Sequence, residues 1–248
     1  MRALGAVVLL VTTLAAVAEG EEDPWARILA ARVNESGEVS YRSLARQDSH
    51  LLRRALEQMA AIDVARLDHD GAVAFWINAY HVTLLAAVVH GESPETLAGR
   101  ARLYHWFGQN VGGRRRTLDE IREVLDRYAS DDPRIHFAIS NGTRGGPQLI
   151  ATPYAADHLD AQLSAAARRF VNDVDHNYVD SIHQRLKLSR LFSWYRADFE
   201  AAAGTLVKFL QPLAERRDLA TALSTEGLDV RYLPFDWRLN AAPGERIQ

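Results

Sequence analysis

A-V-A-F-W-I-N-A-Y-H-V-T-L-L-A-A-V-V-H-G, residues 72–91, decides how the chain is read. It is too long for one strand and almost wholly apolar, so it predicts a helix. Asp68 or Asp70 suits its start, and Gly91 suits the position just past its end. Val73, Phe75, Trp76, Ile77, Leu84, Leu85 and Val88 fall on every face. A helix apolar all round either crosses a membrane or lies in a core. Asn78, His81 and Thr83 would be costly in lipid, and the length is marginal for a crossing. The prediction is therefore a buried central helix. Asn78 and His81 share a face. A buried asparagine must satisfy several donors and acceptors, so Asn78 needs partners from elsewhere in the chain. The plainer reading makes Asn78 and His81 glue between helix and loops. The other gives them to a site.

The 248 residues suit one large domain or two small ones, with apolar content enough for a sizeable core. A net charge of -3 gives no reason to expect nucleic acid or an anionic membrane as partner. The sequence has no cysteine. Thiolate catalysis, thiolate metal sites, disulfides and a lipid-linked cysteine anchor are thereby excluded. Met1-Arg2, the apolar run 3–17 and Ala16-Val17-Ala18 read as a signal peptide over residues 1–18. The mature chain would start near Glu19, in the periplasm or outside the cell, without stable membrane insertion. An uncleaved anchor is the alternative.

Helical spacing recurs at 25–33, 51–62, 191–199, 205–213 and 219–223. Thr117-Leu118-Asp119-Glu120 is a capping box. Residues 134–140, R-I-H-F-A-I-S, read as a short buried strand that empties into the glycine-rich loop 141–147, N-G-T-R-G-G-P. Thr152-Pro153 reads as the start of a helix reaching about Asn172. Residues 178–189 suggest two short strands, and 230–234 a last one. The expected fold is α+β and mainly helical, a single domain over 19–248 with a small sheet packed on the central helix.

Four stretches together resemble one family: G-x-V-x-Y at 37–41, F-W-I-N-x-Y at 75–80, the segment 136–147, and Y-L-P-F-D-W-x-L-N at 232–240. L-S-x-L-F-x-W-Y-x-x-D-F at 188–199 fits as well. The chain resembles the domain of unknown function numbered 547, and the resemblance covers nearly all of the expected mature chain. It implies an architecture and candidate positions, not a reaction. In that family two cysteines occupy the loop, at the positions of Asn141 and Gly146 here. Their absence points to a non-catalytic or altered member, although His136 is retained.

Two functional readings follow. One is an exported ligand-binding or interaction module for a small-molecule or peptide-like ligand. Its pocket would be built from Trp76, Asn78, His136, Asn141 and Arg144, with the loop amides free to meet an anion. The other is a hydrolase or transferase, with His136 as acid/base and Asn78 or His81 beside it. Ser140 and His136, on one strand face, would lie about 13 Å apart and form no nucleophile–base pair. None of the nine histidines sits in a metal-binding pattern, so no metal and no cofactor are expected. The glycine pattern is not a P-loop. Finally, the Asn78 side chain is expected beside segment 136–144, whose loop offers free backbone groups.

Overall fold

Three helices lead into the central one: α1 (Pro24–Arg32), α2 (Tyr41–Gln47) and α3 (Ser49–Ala61). The computed structural model describes residues 23–247, so the expected signal segment lies outside the described residues. The central helix, α4, spans His69–Val89. The Asp68 carboxylate accepts from the Gly71 amide at 2.8 Å and caps its start. At its end, Gly91 at φ +102° donates to Val88 and Glu92 donates to Ala87, a left-handed glycine closure. Every residue from Ala72 to Val88 is buried. By length and hydropathy α4 could cross a membrane, but 94% of its apolar window is buried within the protein. It is a core helix.

Beyond α4 come α5 (Leu97–Arg100) and a wide helical turn, Ala101–Trp106. An antiparallel hairpin follows, β1 (Gly108–Val111) and β2 (Arg114–Thr117). Its two-residue turn is Gly112-Gly113, both at positive φ, which is what the natural twist of a hairpin demands. The sequence reading placed no strands here, because three arginines in a row mask any alternation. In α6 (Leu118–Tyr128) the Thr117–Glu120 capping box forms in full.

Segment 134–140 is not a strand. Ile135–Ala138 forms a single helical turn, α7. The Asp132 side chain accepts from the Arg134 amide, and the Asp132 and Pro133 carbonyls accept from Ile135 and His136. Asp132-Pro133 thus starts a turn, after α6 has already ended at Tyr128. A short apolar run does not by itself separate strand from buried helix. The next expected helix start also moves. Residues 153–155 stay extended, and α8 runs from Leu159 to Asn172. The Tyr154 carbonyl accepts from the Asn78 carboxamide and not from an amide one turn on, so no helix starts there.

The remainder alternates short strands and helices: β3 (Tyr178–Asp180), β4 (Arg185–Leu188), α9 (Leu191–Trp194), α10 (Arg196–Ala203), α11 (Leu206–Leu210), α12 (Arg217–Leu223) and β5 (Asp229–Tyr232). Strand β4 pairs antiparallel with β3 and parallel with β5. The chain is thus mainly helical α+β, as expected. Of its two sheets, the hairpin lies against α3 and α4. The three-stranded sheet belongs instead to a second core, with α8 to α12. Helix α7 joins the two: Ile135 and Ala138 pack in the first core, Phe137 in the second.

Candidate functional site

The seam between the two cores opens beside α7 as a slot of about 200 Å³. Tyr80 reaches it from α4 and Tyr104 from the wide turn. Trp194 and Tyr195 close it from the second core, and Phe235 and Trp237 from the C-terminal segment. Trp194, Phe235 and Trp237 form one cluster with ring centroids 4.6–5.9 Å apart. The Arg100 guanidinium lies 4.2 Å from the Trp237 ring centroid. An apolar stem with a polar tip is what such rings bring to a binding site.

His136 lies in the slot wall, 5% exposed. Its ring stacks on Tyr195 at 3.8 Å and meets the edge of Phe199. Arg122 is 2.5 Å from Nδ1 and Asp198 is 2.7 Å from Nε2. A guanidinium only donates, so Nδ1 accepts and the ring proton sits on Nε2, donated to Asp198. Burial, and then the Arg122 charge, push the His136 pKa down to about 4, against the pull of Asp198. Both ring nitrogens are spent, and the ring is neutral at ordinary pH. This imidazole is a clamped structural group that takes up a proton poorly.

On its other side the glycine-rich loop borders a larger basin of about 700 Å³. Pro147 and Phe235 line both spaces. Glu38, Asp173, Asp175 and Asp236 face Arg144, Arg238 and His176 there. Arg144 stands 3.7 Å from Glu38, and Arg238 grips Asp236 with two nitrogens. His176 has Asp173 at 3.0 Å and the Arg144 carbonyl at 3.0 Å. Burial lowers its pKa, but those two partners outweigh burial and leave it raised. The loop is no anion cradle. The amides of Thr143, Arg144, Gly145 and Gly146 donate to Asn141 Oδ1, Arg238, Asp236 and Thr143 respectively.

The expected site residues divide. His136 and Asn141 line the slot, and Arg144 lines the basin. Trp76, Asn78 and His81 do not reach either space. Trp76 is buried beneath Arg116, whose guanidinium lies 5.0 Å from its ring centroid. Asn78 accepts from the Trp25 indole and the Tyr154 amide and donates to the Tyr154 carbonyl, at 3.2, 3.0 and 2.8 Å. It makes no bond to segment 136–144, contrary to the expectation. That link is made by His81, whose Nε2 accepts from the Ser140 amide at 3.0 Å. Burial pushes the His81 pKa down to about 3. Its lone pair serves a backbone amide, and the Ser140 hydroxyl is buried without a partner. Ser140 is no activated nucleophile.

Sequence reasoning missed Tyr104, Arg122, Asp198 and the acidic basin as neighbours of His136. Most of the slot was nevertheless quoted in the motifs: Tyr80 closes F-W-I-N-x-Y, Trp194 and Tyr195 stand in L-F-x-W-Y, and Trp237 in D-W-x-L-N. The motifs also bond to one another. Tyr41 donates to Asn240 Oδ1 at 2.7 Å, and Asn240 donates from its backbone to Gly142.

Fold and site together define a mainly helical α+β protein with a two-part cleft at the seam of its cores. Residues 64–171 match the model of the family described as "Protein of unknown function, DUF547", which bears out the resemblance and places that segment in the family. The motifs at 37–41, 188–199 and 232–240 lie outside the matched segment. No curated protein and no solved structure matches the chain.

Proposed function

We propose that the protein is an exported binding module whose ligand lies in the cleft at the seam. The observation that carries this reading is the slot itself. Six aromatic side chains from separate parts of the chain converge on one small opening, with no competent nucleophile beside them. The hydrolase or transferase alternative fares worse on the same geometry. His136 has neither nitrogen free and a depressed pKa. Asn141 holds the first of the two family cysteine positions, and its carboxamide oxygen is bound to Thr143.

The test is a thermal-shift screen of the mature protein against fractions of its native extract, with Trp194→Ala alongside. Trp194 is half exposed, so the variant should fold with an unchanged melting temperature. Fractions that stabilise the wild type should not stabilise Trp194→Ala. Stabilisation of both alike places binding elsewhere, and no stabilisation by any fraction removes the reading. Export rests on residues 1–18 and has its own check. Mass spectrometry of the protein from the periplasm or medium should find a start near Glu19, and a chain beginning at Met1 refutes it.

A further inference from the structure

We propose that the cleft takes an extended, proline-rich peptide, with the peptide rings in the aromatic slot and a basic side chain in the adjoining acidic basin. This rests on the reading of the cleft as a binding site.

Three observations carry it. The first is the polar inventory of the slot. Among the described residues, the hydroxyls of Tyr80 and Tyr195 and the indole nitrogens of Trp194 and Trp237 have no hydrogen-bond partner in the chain. Indole nitrogens and the Arg122 guanidinium only donate. The tyrosine hydroxyls donate or accept, and the Asp119 carboxylate in the same wall is paired with His105, so the unpaired groups lean towards donors and favour a ligand rich in acceptors. A proline-rich segment is that ligand, because its carbonyls are free and proline has no N–H. It is also pre-extended, so little conformational entropy is lost when it docks.

The second is shape. Trp194, Phe235 and Trp237 are tilted 39–57° to one another. A planar base, or the apolar face of a sugar, wants one open ring face to stack on. Those three rings touch one another, so a ligand ring packs on the faces they turn to the slot, and the puckered pyrrolidine rings of a threefold extended helix suit such an uneven wall. The third is charge. The basin shares Pro147 and Phe235 with the slot, so a chain leaving one enters the other. Four carboxylates there face two guanidiniums and one imidazole. Arg144, Arg238 and His176 each have a carboxylate beside them, whereas Asp175 is in no ion pair among the described residues. The basin favours a cation over an anion, and Asp175 is the group left to receive it.

The experiment is a tryptophan-fluorescence titration of the mature protein with a decaproline peptide flanked by arginine, the same peptide flanked by glutamate, and a hexameric oligosaccharide. The arginine-flanked peptide should bind about tenfold tighter than the glutamate-flanked one, a difference of about 1.4 kcal/mol. Trp194→Ala should weaken it at least about tenfold at unchanged melting temperature. Asp175→Asn should abolish the flank preference while leaving decaproline binding intact. If the oligosaccharide binds through Trp194 and the peptides do not, the ligand class is wrong and the binding cleft stands. If the peptides bind Trp194→Ala as well as wild type, they sit elsewhere and the proposal falls. If neither class binds, the proposal falls and the cleft reading is judged by its own thermal-shift screen. Equal affinity for both flanks overturns the role of the basin.

Discussion

Replacing Asn78 with leucine tests how the central helix is tied to the rest of the chain. The two side chains are close in volume, so the change removes polar contacts without opening a large cavity. Three groups lose their partner: the Trp25 indole N–H, the Tyr154 amide and the Tyr154 carbonyl. Trp25 is 1% exposed and Tyr154 is 4% exposed, so water does not replace what is lost. Each buried orphan costs about 1–3 kcal/mol, which bounds the total at roughly 3–9 kcal/mol before relaxation. Extra apolar burial by leucine returns about 1–2 kcal/mol. The net loss is thereby bounded at about 1–8 kcal/mol, and its middle, about 3–5 kcal/mol, corresponds to roughly a 10 °C fall in melting temperature for a chain of this size. Urea denaturation at neutral pH should show a lower midpoint with an unchanged slope. Hydrogen exchange should quicken at Tyr154 and at the start of α1, and stay unchanged in residues 143–146, whose amides are held by Asn141, Arg238, Asp236 and Thr143. A loss below about 1 kcal/mol would refute the accounting. Loosening of 143–146 would restore the coupling expected from the sequence and refute the assignment of Asn78 to Tyr154.

Acid should weaken the fold earlier than carboxylate chemistry alone would. His81 and His136 titrate lower folded than unfolded, so their stability is complete above about pH 6.5 and lost as the unfolded state gains protons below it. At about 1.4 kcal/mol per unit, the pair should cost about 4 kcal/mol between pH 7.5 and 5. His69 and His176, with raised pKa values, act in the opposite sense, so the His136 half of the loss, about 2 kcal/mol, is read as the difference between wild type and His136→Asn in denaturation at the two pH values. Arg122→Gln removes a charge that holds the His136 pKa down, and an NMR titration should show that pKa moving up from about 4; an unmoved value would mean that burial alone sets it. A methyl added at Gly145 would lie 2.6 Å from the Asp236 backbone nitrogen, and one at Gly146 only 2.3 Å from the Asn141 side-chain oxygen. Because backbone yields less than a side chain, Gly145→Ala should destabilise by more than about 2 kcal/mol and Gly146→Ala by less, despite its closer contact; the reverse order in thermal denaturation would sink the argument.

What the sequence made legible was local. The central helix declared itself by length and by apolar residues on all faces, and Asp68 and Gly91 mark its ends as read. The Thr117 capping box, the strands near 178–189 and the last strand were all visible in short patterns. The errors came where distant partners decide. Segment 134–140 has a run that suits strand or helix, and the Asp132-Pro133 turn settles it. Thr152-Pro153 has the composition of a helix start, but Asn78, 76 positions from Tyr154, takes the carbonyl that the first turn of such a helix would use. Asn78 was rightly seen as needing partners. They could not be named, because pairing over that separation leaves no periodic trace.

The glycine-rich loop shows why composition misleads about function and still points to the right place. Glycines and an arginine suggested amides waiting for an anion. The structure spends those amides on the backbone of residues 236 and 238 and on the loop itself. Gly145 is there because Asp236 passes too close for any side chain, and Gly146 because Asn141 folds back over it. That close approach presses the C-terminal segment against the loop. Phe235 and Trp237, held on either side of Asp236, are thereby set into the slot wall, packed on Trp194 and sharing the slot with Tyr80. The loop therefore acts at one remove from any ligand. It is the ridge between slot and basin, and its small residues let the aromatic wall come near enough to close one.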